Sequence, residues 1–150
     1  MKRLLYIAPV ILNHVKPNGV GKKIIGQVHS FSKSYETMLV SYAESGIFVN
    51  SNEKSLFVKA KFGLRRFSLY YHIFKLVKKE HFDFVYIRYH LADPLYALLL
   101  LILKMKGSKI VIEIPTYPYA TSFEKKLSSF FKLSIDRISY PLLHFSVGRI

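Results

Sequence analysis

Apolar positions along the chain fall into short continuous runs separated by longer stretches of helical period. That alternation predicts strands interleaved with helices. Leu4 to Ala8 is a short apolar run closed by Pro9, the pattern of a parallel strand buried on both faces. After a loop rich in Pro, Asn and Gly, residues Ile24, Ile25, Val28 and Phe31 recur at helical spacing, predicting a first helix from about Gly21 to Ser34. Thr37 to Tyr42 reads as a second strand and Ser55 to Val58 as a shorter third. Between them Glu44 to Asn52 is polar and rich in Gly, Asn and Ser, which predicts a loop.

Leu64 to Lys79 has the period of an amphipathic helix. Phe67, Tyr70, Tyr71, Phe74 and Val77 mark the face expected to be buried, with Arg65, Ser68, His72, Lys75 and Lys79 on another. Phe84 to Arg88 is the next strand. Asp93-Pro94 then supplies an N-cap and a first-turn proline, and Gly107 a C-terminal stop, around a helix that is apolar on all sides and so expected to be buried. Lys109 to Ile114 reads as a strand stopped by Pro115. Thr121-Ser122-Phe123-Glu124 has the form of a capping box, and Asp136 opens a last helical stretch. The order β-α-β-β-α-β-α-β-α-α implies an open, mostly parallel α/β sheet with helices on both faces. Leu5, Ile7, Val85, Ile87, Val111 and Ile112 are its expected core.

The 150 residues fit one domain, and 51% hydrophobic against 21% charged residues fits a packed core rather than disorder. Charge adds more. Lysine and arginine total 23 against nine acids, a formal net charge of +14, which favours an anionic partner: nucleic acid, an acidic membrane surface or a phosphorylated ligand. With no cysteine, disulfide scaffolds, thiol catalysis and Cys-ligated zinc are excluded, and a reducing cytoplasm is the matching compartment. The N-terminal Lys2-Arg3-Leu4-Leu5 start lacks the apolar length and cleavage site of a signal peptide. Leu95 to Leu103, the longest apolar run, is far short of the ~20 residues a spanning helix needs.

Ligands of open α/β sheets bind outside the carboxyl ends of the strands, and three such ends carry chemistry. Asn18-Gly19-Val20-Gly21-Lys22-Lys23 follows the first strand. Its glycines allow close backbone approach and its lysines favour phosphate; read blandly, it is a Gly-rich turn beside two solvated lysines. Arg88-Tyr89-His90-Leu91-Ala92-Asp93 follows the Phe84 strand. Arg88 suits a phosphate or carboxylate, or pairs with a nearby acid; His90 suits a hydroxyl contact or proton transfer, or is a surface loop residue. Glu113-Ile114-Pro115-Thr116-Tyr117-Pro118-Tyr119 sets hydroxyls on a stiff loop suited to a polar ring-shaped ligand. Glu113 on a buried strand is costly unless functional or paired, with Arg88 the expected partner. No paired metal-ligand spacing, Asp-x-Asp pair or Gly-x-Ser-x-Gly elbow occurs, so no metal is expected.

Taken in order, Lys2 to Pro9, Asn18 to Lys23, Phe82 to Tyr89 and Lys109 to Tyr119 resemble the N-terminal, Rossmann-like half of a GT-B glycosyltransferase of glycosyltransferase family 4. The resemblance spans nearly the whole chain. It implies a hexosyltransferase-like enzyme that moves a sugar, with retention and without metal or other cofactor, from a nucleotide sugar to a saccharide or polyprenyl-linked acceptor in surface polysaccharide synthesis. By the same resemblance Gly19, Gly21 and Lys22 lie against the donor diphosphate and sugar. Many members carry a histidine where this chain has Pro115 or Thr116, so Arg88, His90, Thr116 and Tyr117 are the expected sugar or acceptor contacts, with His90 and Glu113 as catalytic candidates. Residues 1–150 would then form the acceptor-side domain, incomplete at its C-terminal end and inactive alone. Other classes remain open: a non-catalytic remnant, a domain docking on the inner face of the membrane through Arg65, Arg66, Lys75, Lys78 and Lys79, or a nucleic-acid-binding module. Against the last, the aromatic residues fall at core spacing and no RNA-binding signature is present.

Overall fold

The computed structural model describes residues 1–12, 19–51, 55–59, 65–89 and 93–114. Strand β1 (Arg3–Ile11) leads to helix α1 (Gly19–Ser32) and strand β2 (Glu36–Ala43). Strands β3 (Gly46–Asn50) and β4 (Ser55–Lys59) follow, then helix α2 (Arg65–Lys79), strand β5 (Phe84–Arg88), helix α3 (Pro94–Met105) and strand β6 (Lys109–Glu113). The six strands form one sheet in the order β4-β3-β2-β1-β5-β6. β1 pairs in parallel with β2 and β5, and β5 with β6; β3 and β4 add an antiparallel extension. This is an open, doubly wound, Rossmann-like α/β sheet with its order reversing between β1 and β5.

Side-chain alternation splits the core in two. On one face, Leu5 and Ile7 of β1 join Val85 and Ile87 of β5 beneath Leu69, Ile73 and Val77 of α2 and Leu99, Leu100 and Leu103 of α3. On the other, Leu4, Tyr6 and Ala8 meet Ile24 of α1, with Val28 and Phe31 packed against them. Asp93 caps α3, its Oδ1 accepting from Tyr96 N at 2.7 Å with Pro94 in the first turn. Gly107 takes φ +80° just past the helix, a conformation that favours glycine.

Several sequence expectations are corrected. Pro9 does not end β1. Lacking an N–H, it sits where the β1–β2 register skips from Ala8↔Ser41 to Ile11↔Tyr42, and the strand resumes beyond the bulge. The expected loop from Glu44 to Asn52 contains β3, whose Ile47 and Val49 are buried. A Cβ on Gly46 would collide with the Val58 carbonyl, so only glycine fits at the start of that strand. In α2 the buried residues are Leu69, Tyr70, Ile73 and Val77, while Phe67 and Tyr71, expected inside, face solvent. Val111 is also outside: among the described residues β6 is the last strand of the sheet, and none of them covers that side of it. The capping box at Thr121 and the helix expected from Asp136 lie outside the described residues.

Candidate functional site

The crevice at the β1/β5 switch point is where this topology leaves room for a ligand. Three helix N-termini, those of α1, α2 and α3, start from the carboxyl side of the sheet, and none carries an acid in its first turn. Their dipoles, with Lys22 at the start of α1 and Arg65 and Arg66 at the start of α2, favour anions at this edge. The opposite edge is acidic: Arg3 is clamped there by Glu36 at 3.2 Å and Glu80 at 2.5 Å, and its backbone N–H donates to Asp83 at 2.8 Å.

On the α1 side the centre is Glu113. Parallel pairing places it beside Arg88, and alternation turns both toward α1. Glu113 Oε1 accepts from Arg88 at 3.1 Å and from Lys23 of α1 at 2.5 Å. Arg88 is 8% exposed and Glu113 13%, against 54% for Lys23, so the charges reach from the interior to the rim. Burial pushes the Glu113 carboxyl up, but the Lys23 hydrogen bond and the Arg88 charge outweigh it and hold the group below the ordinary carboxylate range. Its second oxygen, Oε2, is buried with no donor at close hydrogen-bond distance, and the neighbouring Tyr86 hydroxyl also helps to lower the carboxyl. Behind it, the Tyr6 hydroxyl donates to Gln27 Oε1 at 2.7 Å, and the Tyr6 and Tyr86 rings stack at 5.0 Å. Burial raises the Tyr6 phenol strongly, so it stays protonated and keeps donating.

On the α2/α3 side the charged pair is Arg66–Asp93 at 2.6 Å, with the Arg66 guanidinium over the Tyr70 ring. A cavity of about 20 Å³, room for one water, lies among Tyr42, Arg66, Tyr70 and Tyr96. The Tyr96 hydroxyl is buried without a partner, and burial raises its pKa and that of Tyr70.

Of the sequence-predicted site residues, Arg88, Glu113 and the α1 start come together. Gly19 and Gly21 are in the first turn of α1 rather than in a loop, because the helix begins before Gly21. Nothing among the described residues crowds a Cβ at Gly19, whereas Gly21 is buried. Lys22 is exposed one position before Lys23. Asp93 both caps α3 and pairs with Arg66. His90, Thr116 and Tyr117 lie outside the described residues. Arg65 and Arg66, expected to face lipid, are engaged by the chain instead: Arg65 donates to the Glu44 carbonyl and Arg66 is held by Asp93. The sequence expectations do not include Tyr6, Gln27, Tyr86 or Tyr96 as site residues, and Lys23, expected to favour phosphate, is held by Glu113. For Tyr96 a signal is present, since it carries the one hydroxyl in a helix that is otherwise apolar up to Lys104. Among the described residues no three His, Asp or Glu side chains gather as a metal ion would need.

No known protein family, curated protein or solved structure matches the chain.

Proposed function

We propose that this chain is the acceptor-side, Rossmann-like domain of a GT-B glycosyltransferase that passes a sugar from a nucleotide-sugar donor to a saccharide or lipid-linked acceptor. The observation that carries the reading is Glu113: an ionised, largely buried carboxylate at the switch-point crevice, with Oε1 held by Lys23 and Arg88 and Oε2 without a donor at close hydrogen-bond distance. A buried acceptor is normally satisfied, and a ligand hydroxyl would complete this one alongside the neighbouring Tyr86 hydroxyl. The surrounding cations suit a diphosphate, and Gly19 lets a ligand approach the α1 backbone. Carboxylate for hydroxyls beside cations for phosphate is the pairing a sugar nucleotide calls for. The ordered segments at Lys2, Asn18, Phe82 and Lys109 supply the family resemblance.

Positioning two substrates in near-attack geometry is worth ~7–11 kcal/mol, and in the two-domain enzymes that the chain resembles it takes both walls of a cleft. Residues 1–150 are therefore expected to bind saccharide without turning over. The test is saturation-transfer NMR with free-sugar and polyprenyl-linked saccharides, alongside nucleoside diphosphate release from a panel of nucleotide sugars. Saccharide signals with the native chain, lost in Glu113→Gln while circular dichroism is unchanged, are the expected result. No saccharide or nucleotide-sugar binding, with oligonucleotides bound instead, overturns the reading. Diphosphate release above a heat-killed control, lost on enlarging Gly19, overturns the one-wall view.

A further inference from the structure

The outer surface of α2 and α3 has a composition that an ordinary solvated face does not. In α3, Pro94, Leu98, Leu101 and Met105 fall at i, i+4, i+7 and i+11, one stripe of a helix, and all four are exposed. Leu98 is 47% exposed, Leu101 36% and Met105 79%. A solvent-facing stripe is normally polar, and this one is wholly apolar. On the neighbouring α2, Phe67 at 62% and Tyr71 at 57% stand one turn apart on the outward side, followed by exposed Lys75, Lys78 and Lys79. The two helices pack side by side on the same face of the sheet, tied by Lys106, which donates to the Val77 carbonyl at the C-terminal end of α2. Neither helix contains an acidic residue. Among the described residues the carboxylates nearby are already paired, Asp93 with Arg66 and Glu80 with Arg3.

We propose that the α2/α3 surface docks on an anionic lipid bilayer, Leu98, Leu101, Met105, Phe67 and Tyr71 entering the headgroup–acyl boundary while Lys75, Lys78 and Lys79 meet lipid phosphates. This stands independently of the glycosyl-transfer reading. It replaces the sequence-based expectation, since Arg65 and Arg66 drop out and α3 supplies the apolar half. Charge complementarity selects the occupant. A second copy of the chain would set lysines against lysines on a molecule of formal net charge +14. A nucleic acid would satisfy the lysines but has no use for an aliphatic stripe. A bilayer with acidic headgroups takes both, and the lysine stems extend their ammonium groups outward past the apolar side chains. No helix among the described residues is long and apolar enough to cross a membrane, so the attachment is to the surface.

The test is flotation of the full chain with vesicles of phosphatidylcholine alone or mixed with phosphatidylglycerol, across salt concentrations. Binding only to the mixed vesicles, weakening with salt, is expected. Each lysine near such a surface contributes about fivefold in partitioning, so Lys75→Glu, Lys78→Glu and Lys79→Glu combined should reduce it at least tenfold. Leu98→Ser with Met105→Ser should remove the salt-resistant fraction while the melting temperature holds. Equal recovery with both vesicle types, or variants indistinguishable from the native chain, overturns the proposal. A fall of several degrees in melting temperature for Leu98→Ser with Met105→Ser also overturns it, because the stripe would then be covered by the chain itself. A dimer in light scattering that Met105→Lys dissociates points to a second copy, with the same consequence.

Discussion

The two faces of the sheet are built to different ends. Over the α2/α3 face, two helices bring Leu69, Ile73, Leu99, Leu100 and Leu103 onto Leu5, Ile7, Val85 and Ile87, and each of these is nearly or fully removed from solvent. Over the α1 face, α1 is the one helix among the described residues, and a hollow of about 230 Å³ lies among Phe31, Tyr35, Phe84, Tyr86 and Val111. The same face carries Tyr6, Gln27, Tyr86, Arg88 and Glu113, hydrogen-bonded to one another or to α1. The broader apolar packing is on the thickly covered face, which also holds the Arg66–Asp93 pair, and the Glu113 cluster is on the thinly covered one. That division follows from where the helices fall, since a buried carboxylate needs both cations within reach and a route to solvent.

If the division holds, truncations should be unequal. Leu99→Ala and Ile73→Ala open cavities where helix, helix and sheet interlock, and each should cost ~3–5 kcal/mol. Ile24→Ala on the α1 face removes a side chain equally hidden from solvent. Phe31 and Tyr35 border a hollow there and can shift, so the cost should lie near the lower end, ~2 kcal/mol. Urea unfolding followed by circular dichroism measures all three. Equal losses would mean that the two faces are equally well packed.

Enlarging side chains sharpens the contrast at smaller magnitude. Leu100→Phe forces extra volume into a closed core and should cost ~1–3 kcal/mol. Val111→Leu adds a methylene toward the hollow and should leave stability within ~0.5 kcal/mol of the native value. A large loss from Val111→Leu would show that the hollow closes in solution.

The parallel strands, the Asp93-Pro94 cap and the Gly107 stop were legible because each has a local cause in consecutive residues. β3 was not, since its five residues are flanked by Glu44-Ser45 and Ser51-Asn52, and loop composition outweighed the alternation of Ile47, Phe48 and Val49. In α2 two apolar stripes compete. Aromatic spacing favoured Phe67 and Tyr71, whereas the sheet accepts the branched Leu69 and Ile73 and leaves the rings outside. The Arg88–Glu113 pair could be anticipated from two adjacent strands, but Lys23 reaches Glu113 across 90 residues, and nothing in the local pattern fixes where α1 lies. Arg66 was misplaced for the same reason, as its engagement depends on an Asp93 supplied by another helix.

The smallest of these effects isolates the electrostatics of the α1 face. Because Glu113 titrates below its ordinary 4.5 when folded, the folded state holds fewer protons than the unfolded chain as the pH falls past that value. Its contribution is therefore whole above the unfolded pKa and is lost as the pH drops through the lower, folded one. One carboxyl can alter the slope by no more than about 1.4 kcal/mol per pH unit. Unfolding free energies of the native chain and of Glu113→Gln, compared from about pH 6 down to about pH 3, should converge as acid removes what the substitution has already removed. Arg3, Glu36, Glu80 and Asp83 sit at the opposite edge and cancel in that difference. Parallel profiles for the two proteins would mean that Lys23 and Arg88 do not hold a carboxylate at Glu113, and the α1 side of the crevice would then lose the acid that distinguishes it from a plain phosphate cradle.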